Sequence, residues 1–236
     1  MTSYYPIFVD MDGVEVLVVG GGAVAHRKIE TLMEYGAIVN VVSRKLHPAL
    51  KLLVAEGKLR MLGSDFEPSH LNGVRMVIAA TDDKETNRRV SAAARERGLL
   101  VNAVDQPADC SFIVPAIVRR GALTIAVSTS GHSPALASRI RKQIEKSFGQ
   151  EYEIYLALLG RVRRLLLKLE LTSDDNSRIF HELVEGGLLE ALKTGDRGQV
   201  EGELRRVLPR DMDIDCLCGQ FFLSPVSAGD APENLK

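Results

Sequence analysis

The segment Val18–Ala25 carries the residue types that bind phosphate groups. It reads Val-Val-Gly-Gly-Gly-Ala-Val-Ala and matches the pattern G-x-G-x-x-A, with the key places held by Gly20, Gly22 and Ala25. The first glycine permits a tight turn, the second lets a pyrophosphate approach the backbone, and the small third residue lets helix and strand pack closely. Because the segment follows an apolar run and opens a helical one, we interpret it as a dinucleotide-binding loop. The alternative is a glycine turn that holds no ligand.

Two stretches are expected to contact this cofactor. Backbone N–H groups and the dipole of the following helix would hold the phosphates, which assigns Gly20, Gly22, Ala23 and Val24. An Asp or Glu about 20 residues further on usually binds the ribose, but the second apolar run ends in Val42-Ser43-Arg44-Lys45. Ser43 could bond a ribose hydroxyl, and Arg44 could stack on adenine or meet a 2′-phosphate. We assign Ser43, Arg44 and Lys45 to the cofactor site. These residue types do not decide between NAD and NADP. The alternative is that Arg44 and Lys45 belong to a solvated loop without a ligand.

Asp105 is the candidate catalytic residue. It follows the apolar run Leu99–Val104, which places it at the carboxyl end of a predicted strand, on the sheet edge that carries the glycine loop. In open α/β sheets this edge binds ligands, and a carboxylate there is a sensible general base. The alternative is a strand-end aspartate that only shapes a turn.

Short apolar runs separated by helical segments position these residues. The runs are mostly continuous, as in strands buried on both faces of a parallel sheet. They span Val14–Val19, Ile38–Val42, Leu59–Leu62, Val74–Ala80 and Leu99–Val104. Helices are predicted at Val24–Tyr35 and Lys84–Arg97, and Gly36 and Gly98 stand where those helices should end. The pattern predicts an α/β fold with a doubly wound, Rossmann-like parallel sheet.

The pattern changes after Asp105. Phe112–Val118 and Leu123–Ser128 indicate two further strands joined in a hairpin. A helix is expected from Ser133-Pro134 to about Phe148, and an apolar stripe over Tyr152–Leu171 begins a helical region. We therefore divide the chain into a Rossmann domain (1–113), a strand-containing dimerisation region (114–150), a helical C-terminal domain (151–215) and a mobile tail (216–236).

The composition argues against several classes of protein. Thirty basic residues oppose 31 acidic ones, there is no Trp, and aromatic residues make up 5% of the chain, so a nucleic-acid partner is not expected. No apolar stretch reaches the roughly 18 to 20 residues of a membrane span, and the first six residues lack the features of a signal peptide. Three cysteines provide no disulfide framework and suit the cytoplasm. Cys216 and Cys218, without nearby histidines, are poor evidence for zinc, and we assign no metal site.

Several later segments, together with the glycine loop, carry a family resemblance. They are Val104-Asp105-Gln106-Pro107, Ser111–Ala116 and Ser128–Ala137, and Pro6-Ile7-Phe8 and Ala79–Asp83 fit too. Over about residues 4–148 the chain resembles the precorrin-2 dehydrogenases, the dehydrogenase and ferrochelatase module of siroheme synthase. With 236 residues, the chain is not expected to hold the methyltransferase domain that is fused to some members.

This resemblance implies an activity, a cofactor and an assembly. The expected reaction is the NAD-dependent oxidation of precorrin-2 to sirohydrochlorin, and some members also insert ferrous iron to give siroheme. The resemblance further implies a homodimer built by the middle and helical parts. It makes Asp105 the essential residue of both reactions, and we place Thr81, within Ala79–Asp83, with the cofactor residues.

The implied substrate is a tetrapyrrole with many carboxylates, which need hydrogen-bond donors and cations. The polar turn before the helix at Pro134 offers such donors, and the candidates are Ser128, Thr129, Ser130 and Gly131. Arg120 in the predicted hairpin is a further candidate, because a guanidinium binds carboxylates in pairs of hydrogen bonds. A simple capping turn and a surface charge are the alternatives.

Two other functions remain open at this point. A non-enzymatic, dinucleotide-sensing regulatory domain would share the glycine loop and the parallel sheet, but it would not explain Asp105 and the segments that follow. A protein that works only as a chelatase would keep the same fold.

Overall fold

The computed structural model describes residues 4–169 and 171–219, and the chain divides into two units. One unit comprises the chain up to Val114 together with Ser130–Ser133, and the other comprises Pro115–Thr129 and the chain from Pro134 onward. Each unit has a hydrophobic core formed by its own residues.

The first unit contains a parallel five-stranded sheet, which confirms the predicted fold class. The strands are β1 (Glu15–Val19), β2 (Ile38–Val42), β3 (Arg60–Gly63), β4 (Met76–Ala79) and β5 (Leu100–Ala103), and they lie side by side in the order β3-β2-β1-β4-β5. Val19, the last residue of β1, pairs in register with Val42 on one side and with Ala79 on the other. The loops that leave the central strands therefore start at one level of the sheet edge.

Helices cover both faces of this sheet, as its continuous apolar strands require. They are α1 (Ala23–Glu34), α2 (Pro48–Ala55) and α3 (Lys84–Glu96), and two 3-10 turns lie at Pro68–Leu71 and Pro107–Asp109. On one face Ile29 of α1 and Leu50 of α2 are fully buried in the core formed with β1 and β2. On the other face Val90 of α3 is fully buried against the central strands.

The second unit begins with the predicted hairpin. Strands β6 (Ala116–Arg120) and β7 (Leu123–Val127) pair antiparallel, and α4 spans Pro134–Ser147. The first of these strands starts later than the predicted Phe112, because Ser111 and Phe112 bond the parallel sheet of the first unit instead. The Ser111 Oγ accepts a hydrogen bond from the Val101 N–H at 2.8 Å, and the Phe112 carbonyl accepts one from the Asn102 Nδ2 at 3.1 Å.

Five further helices complete the second unit. They are α5 (Glu151–Leu166), α6 (Ser173–Glu185), α7 (Leu188–Thr194), α8 (Arg197–Val207) and α9 (Ile214–Gly219). The apolar stripe of α5 buries Leu158, Val162 and Leu166 in the core that these helices share. These residues of the stripe are therefore covered within their own chain.

The helical region extends beyond the predicted boundary at residue 215. Helix α9 buries Leu217 and Cys218, so the predicted tail cannot begin at Cys216. The rest of that predicted tail, residues 220–236, lies outside the described residues.

No helix within residues 4–169 and 171–219 combines the length and the apolar character that a membrane crossing requires.

Leu204→Ala should lower the free energy of unfolding of the protein by about 2–5 kcal/mol, because Leu204 is fully buried in the helical core and its removal leaves a cavity. Leu167→Ala is the matched control. Leu167 is 67% exposed, and its replacement should cost less than about 0.5 kcal/mol. Urea unfolding followed by circular dichroism measures both, and equal losses would contradict the described packing.

Candidate functional site

A cavity of about 780 Å³ lies at the carboxyl edge of the parallel sheet. The loops that follow all five strands contribute to its lining, starting with Gly20, Ser43, Ser64, Ala80 and Val104. Every residue that we predicted to bind the cofactor lines it: Gly20, Gly22, Ala23, Val24, Ser43, Arg44, Lys45 and Thr81. Asp105 lines it as well. The sheet thus brings together residues that lie up to 85 positions apart in the sequence (from Gly20 to Asp105).

The glycine loop leaves β1 through a position that only glycine can occupy. Gly20 has a φ of 122°, and a Cβ atom at this place would collide with the carbonyl oxygen of Ala80. Its N–H donates a 2.8 Å hydrogen bond to the Val42 carbonyl, which ties the loop to the neighbouring strand. The first glycine of the motif therefore serves the tight turn, as the sequence pattern indicates.

Gly22 differs from Gly20 because the space beside it is open. It has an extended backbone and caps α1, and a Cβ atom added to it would meet no atom within 4 Å. Gly22 caps α1 without a side-chain hydrogen bond to the first-turn N–H groups, and N–H groups at such a helix start can bind an anion. A pyrophosphate fits here, since the backbone is accessible from the cavity.

The loop after β2 uses its polar groups partly within itself. The Ser43 hydroxyl donates to the Lys45 carbonyl at 2.8 Å and accepts from the Lys45 N–H at 3.3 Å. The Arg44 Nε donates to the Asp65 Oδ1 at 2.8 Å. Asp65 lines the same cavity and was missed by the sequence analysis, because it follows β3 rather than the second strand.

The loop after β4 is held by a buried asparagine. Asn87 is 2% exposed, and its Nδ2 donates to the Thr81 carbonyl at 3.1 Å while its Oδ1 accepts from the Thr81 N–H at 3.1 Å. The Thr81 hydroxyl lies 2.8 Å from the same Oδ1 and 2.9 Å from the Asp83 carbonyl. Thr81 therefore presents a fixed wall to the cavity. No signal in the sequence pointed to Asn87, because its burial and its bonds to Thr81 are visible only in the structure.

Asp83 begins α3 as its N-cap. Its carboxylate accepts hydrogen bonds from the N–H groups of Glu85 and Thr86 at 3.1 and 3.3 Å and from the Thr86 hydroxyl. These bonds hold the pKa of the Asp83 carboxyl below its usual value, with the Thr86 hydroxyl as the largest cause. The ionised Asp83 thus stabilises the start of α3 and lines the cavity between β4 and this helix.

Asp105 stands in a strained backbone conformation. Its φ is 58°, in the left-handed region that costs a residue with a Cβ roughly 1–2 kcal/mol. Just before it, the Val104 N–H donates to the Ala79 carbonyl at 2.9 Å, which continues the pairing of β5 with β4 to the edge of the cavity. The conformation turns the chain sharply at the residue predicted to be catalytic, where such strain is common.

Cys110 and Arg95 hold the turn that carries Asp105. The Cys110 Sγ accepts from the Ala103 N–H at 3.2 Å and lies 3.2 Å from the Ala103 carbonyl. The Arg95 Nη2 donates to the carbonyls of Ala108 and Cys110 at 2.9 and 2.8 Å. Burial raises the pKa of the Cys110 thiol, so it stays a thiol and serves this turn as a hydrogen-bonding group.

The residues predicted to bind substrate carboxylates fall on both units. Ser128 and Thr129 belong to the second unit, and Ser130 and Gly131 to the first. Ser130 and Gly131 have successive left-handed φ values of 50° and 81° just before α4 begins at Pro134. The structure thus has the predicted polar turn at this helix start.

Arg120 is used within the second unit as a cap for helix α4. Its Nε donates to the Phe148 carbonyl at 2.9 Å, its Nη2 to the Glu145 carbonyl at 3.3 Å, and its Nη1 to its neighbour's carbonyl at 2.8 Å. These contacts favour a structural role for its guanidinium, which satisfies carbonyls at the helix C-terminus. Binding of a substrate carboxylate by Arg120 stays a prediction.

Two family models match consecutive parts of the chain. Residues 7–116 match a family of NAD(P)-binding domains, and residues 120–147 match the central domain of sirohaem biosynthesis proteins. The first match contains the whole cavity lining. The cavity therefore belongs to a nicotinamide dinucleotide-binding domain.

Curated relatives match nearly the whole chain. The siroheme synthase of Methylobacillus flagellatus is 42% identical over 204 residues, which are 86% of this chain and 44% of the relative. Siroheme synthase 1 of Cronobacter sakazakii is 39% identical over 229 residues, which are 97% of this chain and 48% of the relative. The chain thus spans about half the length of these relatives.

A solved structure matches the fold. The precorrin-2 dehydrogenase SirC superposes with a TM-score of 0.74 at 26% identity, covering 86% of this chain and 98% of SirC. The likeness thus extends over almost all of SirC.

Gly22→Asp should weaken dinucleotide binding by more than tenfold while the protein stays folded. The new carboxylate would project into open space where the phosphates bind and would repel them. Gly202→Asp is the matched control, because Gly202 also has open space around it but lies on α8. Titration calorimetry with NAD measures all three proteins. Unchanged affinity of Gly22→Asp would refute the assignment of this loop.

Proposed function

Since this chain belongs to the precorrin-2 dehydrogenase family, which includes the dehydrogenase module of siroheme synthases, we propose that it oxidises precorrin-2 to sirohydrochlorin with NAD as the acceptor. The observation that carries this proposal is the position of Asp105. Asp105 lines the cavity of the glycine loop, and its backbone adopts a left-handed turn at the carboxyl edge of the sheet.

The geometry of the cavity supports a dinucleotide. Gly22 and the N-terminus of α1 would hold the pyrophosphate, and the loop after β2 lies where this fold binds the adenosine ribose. Thr81 and the wall fixed by Asn87 would limit the position of the other end of the cofactor. When bound, the nicotinamide supplies the acceptor for a hydride.

Asp105 supplies the second half of the oxidation. Precorrin-2 loses two electrons with one hydrogen as a hydride, and a second hydrogen must leave as a proton. We assign that proton to the Asp105 carboxylate, because a base placed at the reacting atoms accelerates such a step by roughly 10²–10⁴-fold. The left-handed turn places Asp105 at the cavity lining.

The carboxylates of the tetrapyrrole need donors from elsewhere in the chain. We propose the polar turn Ser128–Gly131 for this purpose, because it precedes the N-terminus of α4, and the positive end of a helix dipole attracts anions. The capping bonds of Arg120 make it the weaker candidate.

Ferrous iron enters the proposal as a second substrate. The curated relatives that match this chain are siroheme synthases, and insertion of iron into sirohydrochlorin replaces two pyrrole protons. Asp105 could take a pyrrole proton from the same place in the cavity. A shared residue predicts that one substitution at Asp105 would impair both steps.

The alternative to an enzyme is a regulatory domain that binds the dinucleotide without catalysing a reaction. It would bind NAD but would produce no NADH when supplied with precorrin-2. A protein that is only a chelatase would insert iron into sirohydrochlorin and would also fail this assay. The cytoplasmic location stays an expectation from the three free cysteines in the chain.

Asp105→Asn should reduce kcat for precorrin-2 oxidation by roughly 10²-fold or more, with NAD affinity within about threefold of wild type. Asparagine removes the proton acceptor but tolerates the left-handed φ of 58°, so the turn should survive. Asp109→Asn is the control, since it removes a carboxylate from the same turn but outside the cavity lining. Oxidation within about threefold of wild type in Asp105→Asn would remove this residue from the mechanism.

The protein should be a homodimer in solution. The family resemblance implies this assembly and assigns its interface to the middle and helical parts of the chain, which begin with the two-stranded sheet of β6 and β7. Light scattering should give about twice 25.8 kDa. A monomer at micromolar concentration would refute the dimer while leaving the proposed reaction intact.

A further inference from the structure

The strand that should carry the ribose-binding carboxylate carries a cation instead. Dinucleotide-binding folds that use NAD place an acidic residue after the second strand, and those that use NADP place an arginine near it. In this chain Ser43, Arg44 and Lys45 follow β2 and line the cavity. Judged from this segment alone, the cavity should accept a 2′-phosphate.

The segment after the neighbouring strand β3 adds a negative charge beside Arg44. Val42 of β2 pairs with Gly63 of β3, and the Ser43 N–H donates to the Gly63 carbonyl at 3.1 Å. This parallel pairing puts the residues after β3 beside those after β2. Asp65 thereby lies against Arg44, although 21 positions separate them in the sequence.

Asp65 is oriented by contacts on both of its carboxylate oxygens. Its Oδ1 accepts from the Arg44 Nε at 2.8 Å and contacts the Arg44 Nη2, and its Oδ2 accepts from the Ser64 hydroxyl at 2.8 Å. The Arg44 hydrogen bond is the largest cause that holds the pKa of the Asp65 carboxyl below its usual value. Asp65 is therefore ionised at neutral pH and neutralises the arginine that would recognise a phosphate.

We propose that Asp65 is the specificity-determining residue that makes this cavity select NAD over NADP. This inference rests on the proposed function, and it concerns the adenosine end of the cofactor rather than the reacting end. A 2′-phosphate, which carries close to two negative charges at neutral pH, would have to separate Arg44 from Asp65 or lie beside the carboxylate. A ribose hydroxyl meets neither obstacle. The carboxylate that the glycine motif requires is thus supplied by β3 instead of β2.

The pair is exposed, with 81% of the Arg44 side chain and 59% of the Asp65 side chain accessible. A surface ion pair of this kind contributes little to folding stability, so Asp65 can be replaced without unfolding the protein. The effect of Asp65 should appear in the discrimination between NAD and NADP, because its negative charge repels the 2′-phosphate that only NADP carries.

Asp65→Asn tests the proposal through binding rather than turnover. Titration calorimetry of the purified chain with NAD and with NADP should show that wild type binds NAD more tightly. In Asp65→Asn the ratio of NADP affinity to NAD affinity should rise at least tenfold, which corresponds to about 1.4 kcal/mol. Adding Arg44→Gln to this variant should abolish the gain, because the gain requires a free guanidinium.

Glu56→Gln is the matched control for net charge. Glu56 also forms an exposed ion pair, 2.9 Å from the Lys58 Nζ, but lies at the end of α2 outside the cavity lining. Its replacement should leave the ratio within about twofold. If NAD bound wild type and the ratio did not change in Asp65→Asn, only the role of Asp65 would be wrong. If wild type preferred NADP, that role would likewise be refuted, and if neither dinucleotide bound, the proposed cofactor would fail as well.

Discussion

The cavity depends on how closely the chain after β1 approaches the strands on both sides. At Gly20 the backbone bonds the Val42 carbonyl on one side and lies so near the Ala80 carbonyl on the other that no side chain fits. Parallel pairing brings the ends of these strands to one level. Because a parallel sheet directs all its carboxyl ends to one edge, the loops there enclose a common space. Every other feature of the site is placed relative to this contact.

The loops around this space are rigid for identifiable reasons. Asn87 fixes the segment after β4 through hydrogen bonds to both backbone groups of Thr81. The turn after β5 is held by the Cys110 thiol and by the Arg95 guanidinium. These contacts hold the turn in which Asp105 adopts its left-handed backbone. None of these supporting side chains has unusual chemistry, and their contribution is to keep one carboxylate in a costly conformation.

Charge in the cavity is distributed by function. In the proposed complex, the glycine loop presents backbone N–H groups and a helix N-terminus to the phosphates and needs no cation of its own. The ribose end has a cation, but its charge is balanced by Asp65. The candidates for binding substrate carboxylates lie elsewhere, in the turn Ser128–Gly131. In the proposed assignment, phosphate, ribose and substrate are bound by different segments, and a substitution in one need not disturb the others.

The sequence by itself determined the sheet, the glycine loop and the position of Asp105 at a strand end. Those features depend on local patterns: continuous apolar runs, glycines at fixed spacing and helix-ending glycines such as Gly36 and Gly98. The late start of β6 and the extension of the helical unit to Gly219 were missed, because they depend on packing of Phe112 and Leu217 against distant residues. Only the tertiary structure showed that Arg44 pairs with Asp65 and that Arg120 binds carbonyls at the end of α4. Which partner a charged side chain takes is decided by strand order and register, and residue types alone do not encode that choice.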